Sequence, residues 1–277
     1  MSLAHPKIAA TDEEAAVTAG INYLASDCNT PYNHNGDASR NVLPLVKVEV
    51  RICDAEAFSS PPRLDVEGFC RVQHHYDIDG LADSSEAAAR YRESLVPFMK
   101  ALTGADEVVM MPNSLVRRQN SAEREADRNA PAELVHSDVT QLGGEQATKW
   151  FYPAPSKPNV RRTAMFNMWK LLSDSPTPRP LALCDARSVA PEDMVAGGSY
   201  IRSNDVVLDT AYYHPKDHFR WIYFSKLTSE ELLVFVQYDT DLNRPRRVPH
   251  TAFEDSSCPP GAAPRVSIES RCIAYWY

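Results

Sequence analysis

Long apolar runs are missing from this chain of 277 residues. No stretch approaches the roughly 18 apolar residues of a membrane span. The opening Met1-Ser2-Leu3-Ala4-His5-Pro6-Lys7 has no basic region leading into an apolar one, so neither insertion nor export is expected. Paired cysteine spacing is absent too. The six cysteines, at 28, 53, 70, 184, 258 and 272, never form CxxC, which argues against a zinc knuckle or a dense disulfide framework and makes a reducing cytoplasm the expected compartment. A basic stripe is also lacking, because the net charge is −8 and the arginine pairs at 117–118, 161–162 and 246–247 are scattered among acidic neighbours. Nucleic acid is therefore not an expected partner. Repeats and low-complexity boundaries are absent, and the length suits one unit, 1–277.

What is present is mostly strand. Residues 12–25 read as a short helix and 29–37 as a turn-rich loop; 42–52 are β-branched and read as a first strand, with a turn at 64–68 feeding a second. From Ser84 to about Thr103 the period becomes helical, with Ala87, Tyr91, Leu95, Phe98 and Leu102 recurring at three- or four-residue steps and Gly104 placed as a C-cap. Val108 to Met111 resumes strand character, 117–130 reads as a polar loop, 145–152 as a helix and 153–158 as a proline-broken connection. Beyond that lie short runs near 163–169, 181–185, 205–209, 220–224, 232–238, 248–253 and 265–276. Many short strands after helical decoration predict a mainly β fold, a double-stranded β-helix or jelly roll of the cupin kind with flanking N-terminal helices. Residues 1–130 would pack on the core, and 131–277 would form most of the jelly roll.

Inside residues 132–140 stands His136-Ser137-Asp138. In an extended strand, residues two apart project from one face, so this histidine and aspartate can share one small ion. His250 can supply a third ligand, completing a two-histidine, one-carboxylate facial triad suited to Fe(II) and oxygen chemistry. The motif alone carries little weight. With eight histidines and 37 acidic residues, about one such match arises by chance, and His75-Tyr76-Asp77 is a second. Context favours His136: an apolar run precedes it, and a strand-rich half follows that ends in another histidine. His214 and His218 are rival third ligands in a turn-like segment.

Downstream, Arg265, Ser267, Glu269 and Arg271 alternate along one strand and share a face. A guanidinium with a hydroxyl two residues away forms a fork for a carboxylate. The plain alternative is that Arg265 and Arg271 pair with Glu269 or lie at a sheet edge.

With these residues in place, the chain resembles the Fe(II)/2-oxoglutarate-dependent oxygenases, and within them the mainly fungal hydroxylase/desaturase branch. The segments that carry the resemblance are Leu64-Asp65 with Gly68-Phe69, Thr103-Gly104-Ala105, Val135 to Asp138, Asn167-Met168-Trp169-Lys170, Pro180 to Asp185, Arg220 to Phe224, Tyr238-Asp239, Pro249 to Phe253 and Arg265 to Arg271. The Asn-x-Trp-Lys segment continues into Leu171-Leu172 where relatives usually place a proline, and the gap from His250 to Arg265 is long. The resemblance implies Fe(II), 2-oxoglutarate and O2 as cofactor and cosubstrates, with His136, Asp138 and His250 as metal ligands and catalytic centre. Arg265 with Ser267 would anchor the distal carboxylate, Arg271 would be the rival anchor, and Asn167 would assist. It also implies a small-molecule substrate, with Trp169, Arg187 and Arg117 as candidate contacts and Arg118 as a further basic neighbour. Two other classes share the scaffold: a zinc hydrolase or isomerase, and a silent small-molecule binder.

Overall fold

Alternating side chains require two buried surfaces to meet, and here two curled sheets do so. The computed structural model describes residues 15–35, 38–119, 130–151, 157–201 and 206–277. The larger sheet comprises β1 (Ala16–Leu24), β2 (Tyr32–Asn35), β3 (Leu45–Asp54), β7 (His136–Ser137), β9 (Leu181–Cys184), β10 (Met194–Ile201), β11 (Val206–Tyr213), β12 (Trp221–Tyr223) and β14 (His250–Ala252). Their spatial order is β1-β3-β12-β9-β14-β7-β11-β10-β2. The smaller sheet comprises β4 (Phe69–Gln73), β5 (Glu107–Met110), β6 (Leu115–Arg118), β8 (Arg162–Leu171), β13 (Glu231–Asp239) and β15 (Val266–Trp276). Its order is β4-β13-β8-β15-β5, with β6 pairing onto β15. This is the mainly β, two-sheet frame expected for a jelly roll.

Helix α1 (Ser85–Thr103) forms as its period predicts. The Ser84 side chain accepts from the Ala87 N–H at the start, and Gly104 adopts φ 68° at the end, a left-handed cap that favours glycine. Its buried residues Ala88, Tyr91, Leu95 and Met99 join Phe166 and Met168 of β8 and Cys272 and Ala274 of β15 in one apolar cluster. The intervening positions of those strands, Asn167, Trp169, Ser267, Glu269 and Arg271, therefore project the other way, toward the larger sheet. A second helix, α2 (Gln141–Phe151), covers 145–151 of the segment expected at 145–152 and starts four residues earlier. No helix among the described residues is long and apolar enough to cross a membrane.

Three local expectations fail. The helix expected over 12–25 is instead β1, which buries Ala19, Ile21 and Tyr23 on one face and pairs along its whole length with β3. The two-residue period of those apolar positions decides the outcome over local helix propensity. The loop expected over 117–130 begins inside β6, and 120–129 lie outside the described residues, as do residue 152 of the expected second helix and 153–156 of the proline-broken connection. The strand expected around His136 shortens to two residues, with Asp138 already in the bend that leads to α2. Strands β2 and β10 were not anticipated.

Candidate metal centre

Two short strands bring the histidines together. His136 of β7 and His250 of β14 are direct cross-strand partners, with ring centroids 4.4 Å apart. Asp138, two residues beyond His136, turns back into the same space, and its Oδ1 lies 3.7 Å from His136 Nε2. One ligand atom from each of the three residues lies within 4.8 Å of the other two. Donors at about 2.0–2.2 Å from a shared ion can be at most ~4.4 Å apart, so the measured histidine–aspartate separation accommodates one.

The ring tautomers are decided by backbone carbonyls. His136 Nδ1 lies 2.7 Å from the Leu134 carbonyl and His250 Nδ1 3.1 Å from that of Val248. A carbonyl only accepts, so each Nδ1 carries the proton and each Nε2 keeps its lone pair for a cation. Burial, and secondarily the neighbouring His250, pushes the His136 pKa down to about 4. Burial lowers that of His250 as well. Both rings are therefore neutral near pH 7, as metal ligands must be.

The carboxylate is held just as definitely. Asn167 Nδ2 donates to Asp138 Oδ2 at 2.7 Å, and Arg271 Nε forms an ion pair with the same oxygen at 3.0 Å. Burial opposes the charge on Asp138, but Arg271, the two histidines and the Asn167 hydrogen bond outweigh it and hold the carboxyl well below its ordinary range. With Oδ2 taken by protein donors, Oδ1 is the oxygen left to face His136. Arg271 is itself steadied by Glu269, 2.6 Å from one of its terminal nitrogens. Protein surrounds these groups on most sides, yet the side chains of His136 and Arg271 keep 19% and 28% accessibility, so solvent reaches them.

Arg265 occupies the same face of β15 at the other end. It is buried, its Nε donates to Ser267 Oγ at 3.2 Å, and one terminal nitrogen donates to the Arg179 carbonyl at 3.0 Å. Its guanidinium lies 4.9 Å from the centre of the Trp169 ring. Burial, then the charge of Arg117, pulls its pKa down to about 9. Among the described residues no carboxylate forms an ion pair with Arg265, whereas Arg271 has two.

The other candidates fall elsewhere. Trp169 is a wall against Arg265, and Arg117 on β6 stands across from Ser267. Arg118 turns outward to Asp83. Arg187 is engaged by Asp185 and Glu67, and no contact joins it to the triad. The rival ligands are occupied as well: His214 lies 3.2 Å from the Leu24 carbonyl and His218 2.8 Å from Asp193. The second motif opens to solvent, with His75 paired to Glu230 and 75% exposed. Gln237 was not foreseen. Its Oε1 accepts from the Asp138 N–H at 2.8 Å, and nothing in Val236-Gln237-Tyr238 marks it out from the surrounding strand.

A jelly roll enclosing a two-histidine, one-carboxylate centre is the arrangement that suits non-haem iron oxygenases. The sequence pattern of the YDMC family, described as an oxidoreductase/YMDC permease-like domain, matches residues 21–275. The hydroxylase/desaturase efuI of Hormonema carpetanum is 33% identical over 259 residues, covering 85% of this chain and 84% of the relative. The Fe(II)/2-oxoglutarate-dependent dioxygenase nvfI of Aspergillus novofumigatus is 27% identical over 244 residues, covering 82% and 83%. The solved structure of a tryptophan-to-phenylalanine variant of the iron and alpha-ketoglutarate-dependent endoperoxidase NvfI superposes with a TM-score of 0.81 at 23% identity, covering 96% of this chain and 99% of that one. At that identity the superposition speaks for the jelly-roll fold. The chain belongs to the matched family and to the fungal hydroxylase/desaturase branch of the Fe(II)/2-oxoglutarate-dependent oxygenases. That placement carries Fe(II), 2-oxoglutarate and O2 with it and favours oxygenase chemistry over a zinc hydrolase or a silent binder.

Proposed function

We propose that this protein hydroxylates or desaturates an unactivated C–H bond of a small molecule in fungal secondary metabolism, with His136, Asp138 and His250 holding Fe(II). The observation that carries the assignment is the convergence of three ligand atoms whose other polar atoms are already committed to protein partners. Two nitrogens and one carboxylate oxygen suit Fe(II), and the rest of its coordination sphere is left to cosubstrates. Fe(II) held by these three residues would supply, together with 2-oxoglutarate and O2, the oxidising power for the reaction, with succinate and CO2 as the co-products.

The protein's own contribution is placement. Arg265 and Ser267 present N–H and O–H groups to the distal carboxylate of 2-oxoglutarate, which gives the buried guanidinium the anionic partner it lacks among the described residues. Trp169 closes one side of that anchor and keeps water from it. Arg271 and Asn167 hold Asp138 ionised and orient its free oxygen. Arg117, beside the anchor strand, is the basic residue best placed to meet an anionic group on the substrate. The same reading treats residues 1–277 as one oxygenase unit acting without nucleic acid.

The test is spectroscopic. Under anaerobic conditions the protein with Fe(II) and 2-oxoglutarate should develop a weak visible charge-transfer band, and aerobic samples should release succinate slowly without added substrate. Persistence of the band in His136→Ala would overturn the assignment.

A further inference from the structure

Strand β13 contains an irregularity at one residue. Against β8, Val236 pairs with Phe166 and Tyr238 pairs with Met165, so two steps along β13 match one along β8 and Gln237 is the extra residue. A bulge of this kind leaves a residue outside the ladder and re-aims its side chain. Gln237 is 1% exposed, so its amide must find partners inside. Its Oε1 accepts from the Asp138 N–H at 2.8 Å, and its Nε2 donates to the Val236 carbonyl at 3.1 Å and to the Val248 carbonyl at 3.3 Å. The Val248 carbonyl is the same group that receives His250 Nδ1 at 3.1 Å.

We infer that Gln237 is a positioning residue for the metal centre: one buried amide ties the backbone of Asp138 to the carbonyl that orients His250, and so sets the spacing of the two ligand arms. The inference rests on the metal-binding reading above. The tie needs a group that accepts and donates at once, at a fixed separation, which a side-chain amide supplies. Asp138 lies in a bend beyond a two-residue strand, so the β ladder does not hold it. His250 lies on a three-residue strand. Gln237 therefore acts where regular pairing is weakest.

The residue touches neither metal nor substrate, so its test is metal affinity rather than turnover. Co(II) titrated into metal-free protein, followed by its visible absorption, reports the triad directly, with His136→Ala as the control. Gln237→Met keeps the bulk and removes all three hydrogen bonds; Gln237→Asn keeps an amide too short to span them. Both are expected to weaken Co(II) binding about 10- to 100-fold, the usual consequence of losing a group that orients a ligand. Their Co(II) spectra should change shape, and thermal unfolding of the metal-free forms shows which variants fold. A Co(II) dissociation constant within twofold of wild type in a folded variant would overturn the inference. Wild-type protein that binds no Co(II) removable by His136→Ala would instead overturn the metal assignment itself.

Discussion

The chain spells His-x-Asp twice, and the two copies have opposite surroundings. His75 lies in solvent against Glu230, and among the described residues Asp77 accepts the Asp79 N–H close by in the chain. At the other copy His136 faces His250 across a strand pair, and Asp138 is gripped by Asn167, Arg271 and Gln237. A ligand pair is made by what fixes its unused atoms. Spacing only puts two side chains on one face; a metal centre also needs the far nitrogen of each ring and the far oxygen of the carboxylate committed elsewhere.

The largest effect that separates the copies is the loss of Fe(II) binding in His136→Ala, measured by equilibrium dialysis, together with the charge-transfer band. Below it stands the anchor. Arg265→Ala should raise the KM for 2-oxoglutarate about 10- to 150-fold, corresponding to the ~1.5–3 kcal/mol of hydrogen bonds to a charged group, while Co(II) affinity changes little. An equal loss in both measurements would mean that the anchor and the metal centre are not separate devices.

A smaller effect concerns pH in the metal-free protein. Folded His136 titrates near 4 and an unfolded histidine near about 6.5, so between these values the unfolded chain holds more protons. The stability associated with this residue is present above about pH 6.5 and is lost as pH falls toward about 4. Urea midpoints across that window should rise with pH, and His136→Ala should flatten the slope; an unchanged slope would count against a ring buried in its neutral form. Least affected should be His75→Ala, with unchanged metal affinity and a stability shift within about 0.5 kcal/mol, as for an exposed position.

The helix from Ser85 to Thr103 was legible because its period and its closing glycine agree. The strands from Arg162 onward, β10 excepted, were legible because β-branched and aromatic residues run between turn formers. At Ala16–Leu24 the reading failed, since nine residues seen alone do not reveal β3 as their ladder partner. The triad was found from residue chemistry and chain order, and the choice between Arg265 and Arg271 stayed open. The pairing of the two differs: Arg271 is already paired with Asp138 and Glu269, and Arg265 has no carboxylate partner among the described residues, which supports the proposal of Arg265 as the anchor.

By itself the amino-acid order determined the chemical inventory: a mainly β chain, two histidines and an aspartate in ligand spacing, and an arginine two residues from a serine on one strand face. Those are local properties of composition and period. Only the tertiary structure decided which His-x-Asp is enclosed, which nitrogen of each ring is free, and that Gln237 reaches Asp138. The first and the last depend on contacts between residues far apart in the chain, which meet only when the sheets close, and the ring nitrogens are set by the Leu134 and Val248 carbonyls two residues away once the strands fix the backbone there.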